Sequence, residues 1–389
     1  MNAIRILTAG ESHGPQLTAF IDGIPAGLPV SEDYINKEMH RRQYTFGRGE
    51  RLQHIEQDKA RIVAGVRWGE ALGSPIALVV ENKDSGNWSK IMSVRAEDAD
   101  EKFRLVRPRP GHADLAGLLK FNRQDTRDIL ERASARETAA RTAAGAVCKR
   151  FLEEFGIKIY SYVTEIGGIK AHCKNMPAET AFVEAEKSPV RCPDAAAAKK
   201  MMALIDQAKK DGDTVGGLYE VVAVGCPVGL GSHTQWDRKL DGLLAQAFLS
   251  IQAHKAFEVG TGFEMARLKG SDVHDELFHD PEKGYWRKTN NAGGLEGGMT
   301  NGEPIVVRAA IKPLASLRRP LQSVNIITKE PFKAEIVRSD VCPVASAAII
   351  GEAVMAITLA GAMKEKFGGD SIREMNANYT SYLEYIKSR

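Results

Sequence analysis

A chain of 389 residues that is 43% hydrophobic and 26% charged has the composition of an ordinary globular protein, with enough apolar content for a sizeable core. A formal net charge of only +3 excludes a polybasic nucleic-acid binder, so any cationic site must come from local clustering. The five cysteines (Cys148, Cys173, Cys192, Cys226 and Cys342) are odd in number and lack C-x-x-C spacing, which argues for reduced thiols in a cytoplasm and against a disulfide frame or thiolate zinc site.

Met1 to Gly10 carries a short apolar strand pattern and not a secretion signal. The alternation predicts strands at Ile4–Ala9 and Leu17–Ile21, joined by the glycine-bounded loop Gly10–Gly14. Ser31 is a suitable N-cap for a helix through about Arg42, and Gln43–Arg51 is too glycine-rich for an element. Arg61–Val66 and Pro75–Val80 read as strands, and residues 81–114 as mostly loop. From about Ala133 to Phe155 the pattern is helical and alanine-rich, with Gly156 as its stop. Ile159–Thr164 reads as a strand, and residues 170–193 have no clear periodicity. Asp194 caps a helix to Lys210, with Gly212 beyond its end. Tyr219–Val224 alternates as a strand, and Asp237 opens a helix with Leu240, Leu243, Leu244, Ala247, Phe248 and Ile251 on one face. Residues 260–303 form a long glycine-rich loop region, a length that usually carries function or disorder. Ile305–Ile311 and Ala334–Arg338 read as strands, and Val344–Phe367 as the last long helix. That helix could span a bilayer by length, but it is rich in alanine and glycine and carries Glu352, so it is expected in a core and no membrane is assigned.

Four matches recur in the same order in two halves of the chain. Gly23-x-Pro25-x-Gly27 pairs with Gly225-x-Pro227-x-Gly229, and Gly73-Ser74-Pro75 with Gly302-Glu303-Pro304. Ser134-Ala135 and Ser346-Ala347 each open a small-residue helix, which ends at Phe155-Gly156 or Phe367-Gly368. The expected architecture is one large domain, 1–389, made of two similar halves (about 1–156 and 217–369) with a connecting segment 157–216. Its fold class is α+β, with the helices packed between two sheets and related by an internal pseudo-twofold.

Basic residues cluster in loops: Arg42 at a helix end, Arg48 and Arg51 in the glycine-rich segment, Arg107 and Arg109 beside prolines, Arg338 before Asp340. Arginine's planar fork suits carboxylate and phosphate, so arginines converging on one pocket would take a small, multiply charged anion. Arg132 and Arg136 are four residues apart at the start of the alanine-rich helix, a spacing that places them on one face near the positive end of the dipole. Ser134 and the free N–H groups of that turn add anion-binding capacity. His13 lies between glycines, and His112 in the stiff stretch Arg107-Pro108-Arg109-Pro110-Gly111-His112; both could donate protons near neutral pH, although a surface turn is the plainer account of that stretch. No H-x-x-x-H or H-E-x-x-H pattern exists, and the cluster Asp272, His274, Asp275, Glu276, His279 reads as a polar surface loop, so no metal is assigned. Asn290–Gly302 has five glycines in thirteen residues and reads as a ligand-contacting loop or lid. A non-catalytic RNA-binding module would need a basic stripe with interleaved aromatics; here the arginines sit in separate loops and aromatics are 7%, so no nucleic acid is assigned.

Five stretches in order, Gly10–Gly14, Arg107–Asp114, Arg132–Thr138, Gly293–Gly302 and Arg338–Cys342, resemble the signatures of the chorismate synthase family, covering nearly the whole chain. The resemblance implies a carbon–oxygen lyase of the shikimate route that converts 5-enolpyruvylshikimate 3-phosphate to chorismate and phosphate by 1,4-anti elimination. It implies dependence on reduced FMN, a β-α-β sandwich with antiparallel sheets, and a homotetramer. By motif match, Arg42, Arg48, Arg51, Arg109, Arg136 and Arg338 would hold the substrate's anions. His13 would protonate the departing phosphate, His112 the reduced flavin, and Asp340 would help carry the substrate's proton away. Arg132, Ala133, Ser134, Gln252, Ala253, Gly297, Lys312, Pro313, Leu314, Ala315, Ser316 and Arg338 match flavin-contacting positions. Departures are small: residues 41–49 lack the family's commoner Gly-Tyr-Gly, and Ala345 stands where proline is common. The long insertions associated with members that reduce their own flavin with NADPH are missing, which implies an external reductant.

Overall fold

Alternation along β2 (Gln16–Asp22) sets the first layer: Leu17, Ala19 and Ile21 are buried while Gln16, Phe20 and Asp22 are exposed, so one face of its sheet meets the core. The computed structural model describes residues 4–48, 58–173, 176–281, 284–337 and 340–389. With β1 (Arg5–Ala9), β3 (Ala60–Ala64) and β4 (Ile76–Glu81), β2 makes a four-stranded antiparallel sheet in the order β1-β2-β4-β3. A second antiparallel sheet contains β5 (Lys158–Ile166), β6 (Ile169–Lys170), β7 (Gly217–Val224), β8 (His254–Val259) and β9 (Ile305–Ile311), in the order β8-β9-β7-β5-β6.

The main helices are α1 (Glu32–Gln43), α2 (Asp114–Phe121), α3 (Arg127–Ala133), α4 (Thr138–Glu153), α5 (Ala178–Lys187), α6 (Ala195–Asp211), α7 (Leu240–Leu249), α8 (Val344–Phe367) and α9 (Ile372–Lys387). Helix α4 packs on the first sheet and α8 on the second, and the two helices pack on each other. A Cβ on Gly145 would lie 2.4 Å from the Ala353 Cβ, so glycine is what lets these backbones meet. This is the α+β sandwich of helices between sheets. Helix α8 is the one described helix long and apolar enough to cross a membrane, and 83% of its most apolar stretch is buried in the protein.

Leaving β6 aside, each sheet runs in the order first, second, fourth, third strand of its set. In each set a helix (α1 or α7) lies between the second and third strands, and a long helix (α4 or α8) follows the fourth. The turns after β2 and β7 are the two Gly-x-Pro-x-Gly segments, with Gly23, Gly27, Gly225 and Gly229 all at positive φ. The strand that corresponds to β1 is β5, which begins at Lys158, inside the expected connector.

Caps explain the well-predicted boundaries. The Ser31 Oγ accepts the Tyr34 N–H at 3.2 Å, and the Asp194 carboxylate accepts from Ala196 and Ala197, with Gly212 left-handed at the far end of α6. Other expectations are corrected. The alanine-rich helix does not run unbroken from Ala133: α3 ends there, Ser134 is extended (φ −64°, ψ 143°), and a 3₁₀ turn, Ala135–Glu137, leads into α4. The Ser134 Oγ accepts the Arg136 N–H, which offers the backbone an alternative to a continuing helix. Helix α7 begins at Leu240 and not Asp237, because Trp236–Arg238 is a 3₁₀ turn. Residues 170–193 contain α5, and α9 follows the helix expected to be last, capped by Ser371 and buried at Ile372 and Met375. Residues 334–337 are not a strand; the nearby ribbon pairs Gln322–Val324 with Pro331–Lys333. The five cysteines are buried and free.

Glu352, the carboxylate inside α8, is 1% exposed and compensated on every side. Arg41 grips it through two bonds of 2.8 Å, the Lys149 Nζ lies at 2.6 Å and the Ser161 Oγ donates at 2.6 Å. Glu38 and Glu186 share those cations with it, and Arg191 closes the group. Burial would raise the Glu352 carboxyl, but Arg41 and Lys149 hold it well below the carboxylate range.

Candidate active site

Arg42 ends α1 on the buried side, and its guanidinium donates to the Thr138 Oγ1 at the start of α4. Arg48 follows in the next turn, with its Nε 3.3 Å from Asp340 and its Nη1 donating to the Arg42 carbonyl. Arg136, from the turn between α3 and α4, makes a bidentate pair with Asp58 at 2.8 Å for both bonds. Three guanidiniums thus gather around two carboxylates. Burial, with Arg48 and Arg136 nearby, pushes Arg42 down to about 9, despite the opposing pull of Asp58 and Asp340. It remains charged at neutral pH, and an arriving anion relieves the crowding. All three arginines and Asp340 line one cavity of about 950 Å³.

Both histidines reach the same cavity, and each is held by a buried carboxylate. The His13 Nδ1 lies 2.9 and 3.0 Å from the Glu131 oxygens, and the ring stacks on Trp88 with centroids 3.8 Å apart. The His112 Nδ1 lies 2.5 Å from the Asp114 Oδ1. Arg109 surrounds the same carboxylate, donating to it from Nε at 2.9 Å, and its Nη1 donates to the Ser316 Oγ at 2.6 Å. The Arg109 guanidinium lines the cavity with most of its donors already engaged inside the protein.

Ala133, Ser134, Gln252, Ala253, Lys312, Leu314, Ala315 and Ser316 form further wall. The Gln252 Nε2 donates to Glu137, which also accepts from Thr8 and Arg141. Ala253 is left-handed at φ 66°, a strained setting that tucks its methyl at the turn between α7 and β8. Three expected positions lie off this wall. Arg132 turns to the Thr8 and Gly10 carbonyls, because the break at Ser134 puts it and Arg136 on different elements; the shared helix face predicted for them does not form. Gly297 sits in the turn of a small ribbon, 3.9 Å by its would-be Cβ from His233, and Pro313 only links wall residues. Arg51 and Arg338 lie outside the described residues.

The loop Asn290–Gly302 contributes nothing to the wall. Its start is fastened by Asp275, which accepts from the Thr289 hydroxyl and the Asn291 and Ala292 N–H groups. Asp275 therefore anchors a loop, and no group of three metal-ligating side chains occurs among the described residues. Sequence reasoning missed Glu131, Trp88, Asp58, Lys209 and Arg318, the last two also on the wall. Glu131 is 118 residues from His13, so no local pattern could have joined them.

A cationic cavity with two carboxylate-held histidines, lined by loops and helix ends from both halves of the chain, defines an enzyme for a small, multiply anionic substrate. A family model described as chorismate synthase matches residues 4–363. The chain is 54% identical to the chorismate synthase of Geobacter sulfurreducens over 392 residues, covering 99% of this chain and 100% of that one. It is also 54% identical to that of Syntrophotalea carbinolica over 387 residues, with full coverage of both. A crystal structure of chorismate synthase superposes with a TM-score of 0.80 at 43% identity, covering 99% of each chain. The chain belongs to the chorismate synthase family and is a lyase.

Proposed function

We propose that this cavity converts 5-enolpyruvylshikimate 3-phosphate to chorismate and phosphate by 1,4-anti elimination, with reduced FMN bound beside the substrate. The observation that carries the proposal is the meeting of Arg42, Arg48 and Arg136 with His13, His112 and Asp340 on one wall. The substrate's phosphate and two carboxylates match a cluster of arginines in a chain of low overall charge. At about 950 Å³ the cavity lies at the upper end of the roughly 300–1,000 Å³ typical of ligand sites, which suits two ligands together.

The wall also fits a flavin. Ala133, Ala253 and Ala315 leave a low surface against which a flat ring can lie, and Ser134, Ser316 and Lys312 offer donors at its edge. What reduced FMN supplies when bound is transient electron donation as the C–O bond breaks, with no net redox change. The protein's part is binding and proton placement. Arg42, Arg48 and Arg136, with Arg51 and Arg338 by sequence match, hold the anions. His13 carries the proton for the departing phosphate. His112, held by Asp114 and Arg109, keeps a proton at the flavin side. Asp340, 3.3 Å from the Arg48 Nε, helps carry away the proton lost by the substrate.

The test is anaerobic turnover with chemically reduced FMN, following chorismate absorbance and phosphate release. No chorismate at saturating substrate sinks the proposal. We further propose a cytoplasmic homotetramer supplied with reduced flavin from outside; light scattering checks the first, and an assay with NADPH as sole reductant, expected to be silent, checks the second.

A further inference from the structure

We infer that Glu131 is a positioning residue that fixes His13 in one tautomer, with Nδ1–H committed to Glu131 and Nε2 left to the cavity, while Trp88 holds the ring in that plane; this rests on the reading of His13 as proton donor. The loop and α3 are joined by more than the ring. The Ser12 N–H donates to the Glu131 carbonyl at 3.0 Å, and the His13 N–H donates to the Glu131 Oε2 at 2.9 Å. Arg127, one turn back on α3, donates to the Glu131 Oε1 at 3.1 Å. The Glu131 side chain is 2% exposed. Burial would raise its carboxyl, but the bond from His13 and the charge of Arg127 hold it below the usual range, so it stays ionised.

An ionised carboxylate only accepts hydrogen bonds, so the proton of a neutral His13 must sit on Nδ1. The opposite nitrogen, Nε2, is then the ring position that takes up a proton and passes it to the departing phosphate, which leaves the ring as the Nδ1–H tautomer. Trp88 blocks the other degree of freedom. Its indole lies 29° from the plane of the imidazole and is itself fixed by an Nε1–H bond to Asp84 at 2.8 Å. The Arg127 guanidinium lies 5.3 Å from the same indole, so one arginine braces both parts of the clamp. A ring flip of His13 would forfeit the Glu131 bond.

Glu131→Gln tests this, because an amide can donate or accept and no longer dictates the tautomer. The expected result is a fall in kcat of about 100-fold, the lower end of what general acid catalysis contributes, with substrate KM and oxidised-FMN affinity within about threefold of wild type. Nitrogen-15 NMR of labelled histidine, with His13 assigned by comparison with His13→Gln and recorded where the ring is neutral, should show Nδ1–H in the wild type and a mixture in the variant. An unchanged kcat overturns the inference. If Glu131→Gln fails to fold, the wild-type spectrum still decides: a ring protonated at Nε2 alone overturns it. Failure of the functional reading is separate, since it would appear as a wild type that makes no chorismate while the spectrum still reports Nδ1–H.

Discussion

Arg109 closes on Asp114 three times: its backbone N–H and side-chain Nε–H donate to the Asp114 Oδ2, at 3.0 and 2.9 Å, and its Nη2 donates at 3.2 Å to Oδ1, the oxygen that also holds His112. Asp114 is 1% exposed; burial would raise its carboxyl, but the bonds from His112 and Arg109 hold it far below the carboxylate range. Asp114→Asn leaves the buried Arg109 charge uncompensated, a change that should cost about 3–5 kcal/mol in urea unfolding. The same variant should lose turnover through His112. Arg107→Ala should change turnover less than about twofold, because its guanidinium is half-exposed, over Phe332 and near Glu335.

Glu352 sets the charge balance between the layers. Glu352→Gln leaves Arg41, Lys149 and Arg191 with less negative charge than they need, and about 3–5 kcal/mol of stability should go with it. A denaturation midpoint within error of wild type would show that the cluster contributes nothing net.

The acid limb of the stability curve should carry the mark of His254. It is buried between the Tyr219 hydroxyl, at 2.7 Å from Nε2, and the Gln252 carbonyl, at 3.1 Å from Nδ1. Burial pushes the ring down to about 4. The unfolded chain therefore binds a proton that the folded one refuses: this contribution is complete above about pH 6.5 and lost as pH falls toward 4, amounting to about 3 kcal/mol. His254→Asn should flatten that part of the stability curve, which urea midpoints measured at half-unit steps will reveal.

Gly145→Ala should force α4 and α8 apart and cost about 1–3 kcal/mol or more, because its methyl would meet Ala353 at 2.4 Å. Combining it with Ala353→Gly removes one of the clashing groups and should restore part of the loss. Additive losses in the double variant would refute direct contact as the cause.

For Arg136, lysine is not a conservative replacement. It cannot reproduce the two parallel bonds to Asp58, and Arg136→Lys should raise the substrate KM about tenfold with a smaller effect on kcat. Steady-state assays at several substrate concentrations separate the two.

Where local chemistry decides, the sequence was readable. Ser31 and Asp194 announce α1 and α6 because a side-chain oxygen next to an apolar period satisfies free N–H groups. The apolar run Val344–Phe367 is legible for the same kind of reason, being buried along most of its length. His13 and His112 stood out because glycine and proline loops are poor places to hide a ring in a core. The break at Ser134 was not legible: alanines on both sides favour helix, and what ends it is a side-chain bond to Arg136 together with distant partners for Arg132 and Arg136 on β1 and at Asp58. Asp58, Glu131 and Trp88 escaped for a related reason. Each is an ordinary polar or aromatic residue until the fold carries it to an arginine or histidine far away in sequence.

The wall of the cavity is drawn from Ser12 at one extreme and Val341 at the other. During synthesis, His13 and Arg42 leave the ribosome early and wait for most of translation before Lys312 and Asp340 can face them. Competence therefore arrives late and all at once, and a chain released before residue 340 would be silent and not weakly active. For the cell this means that unfinished copies should turn over no substrate, and that appearance of activity should report completion of the whole polypeptide.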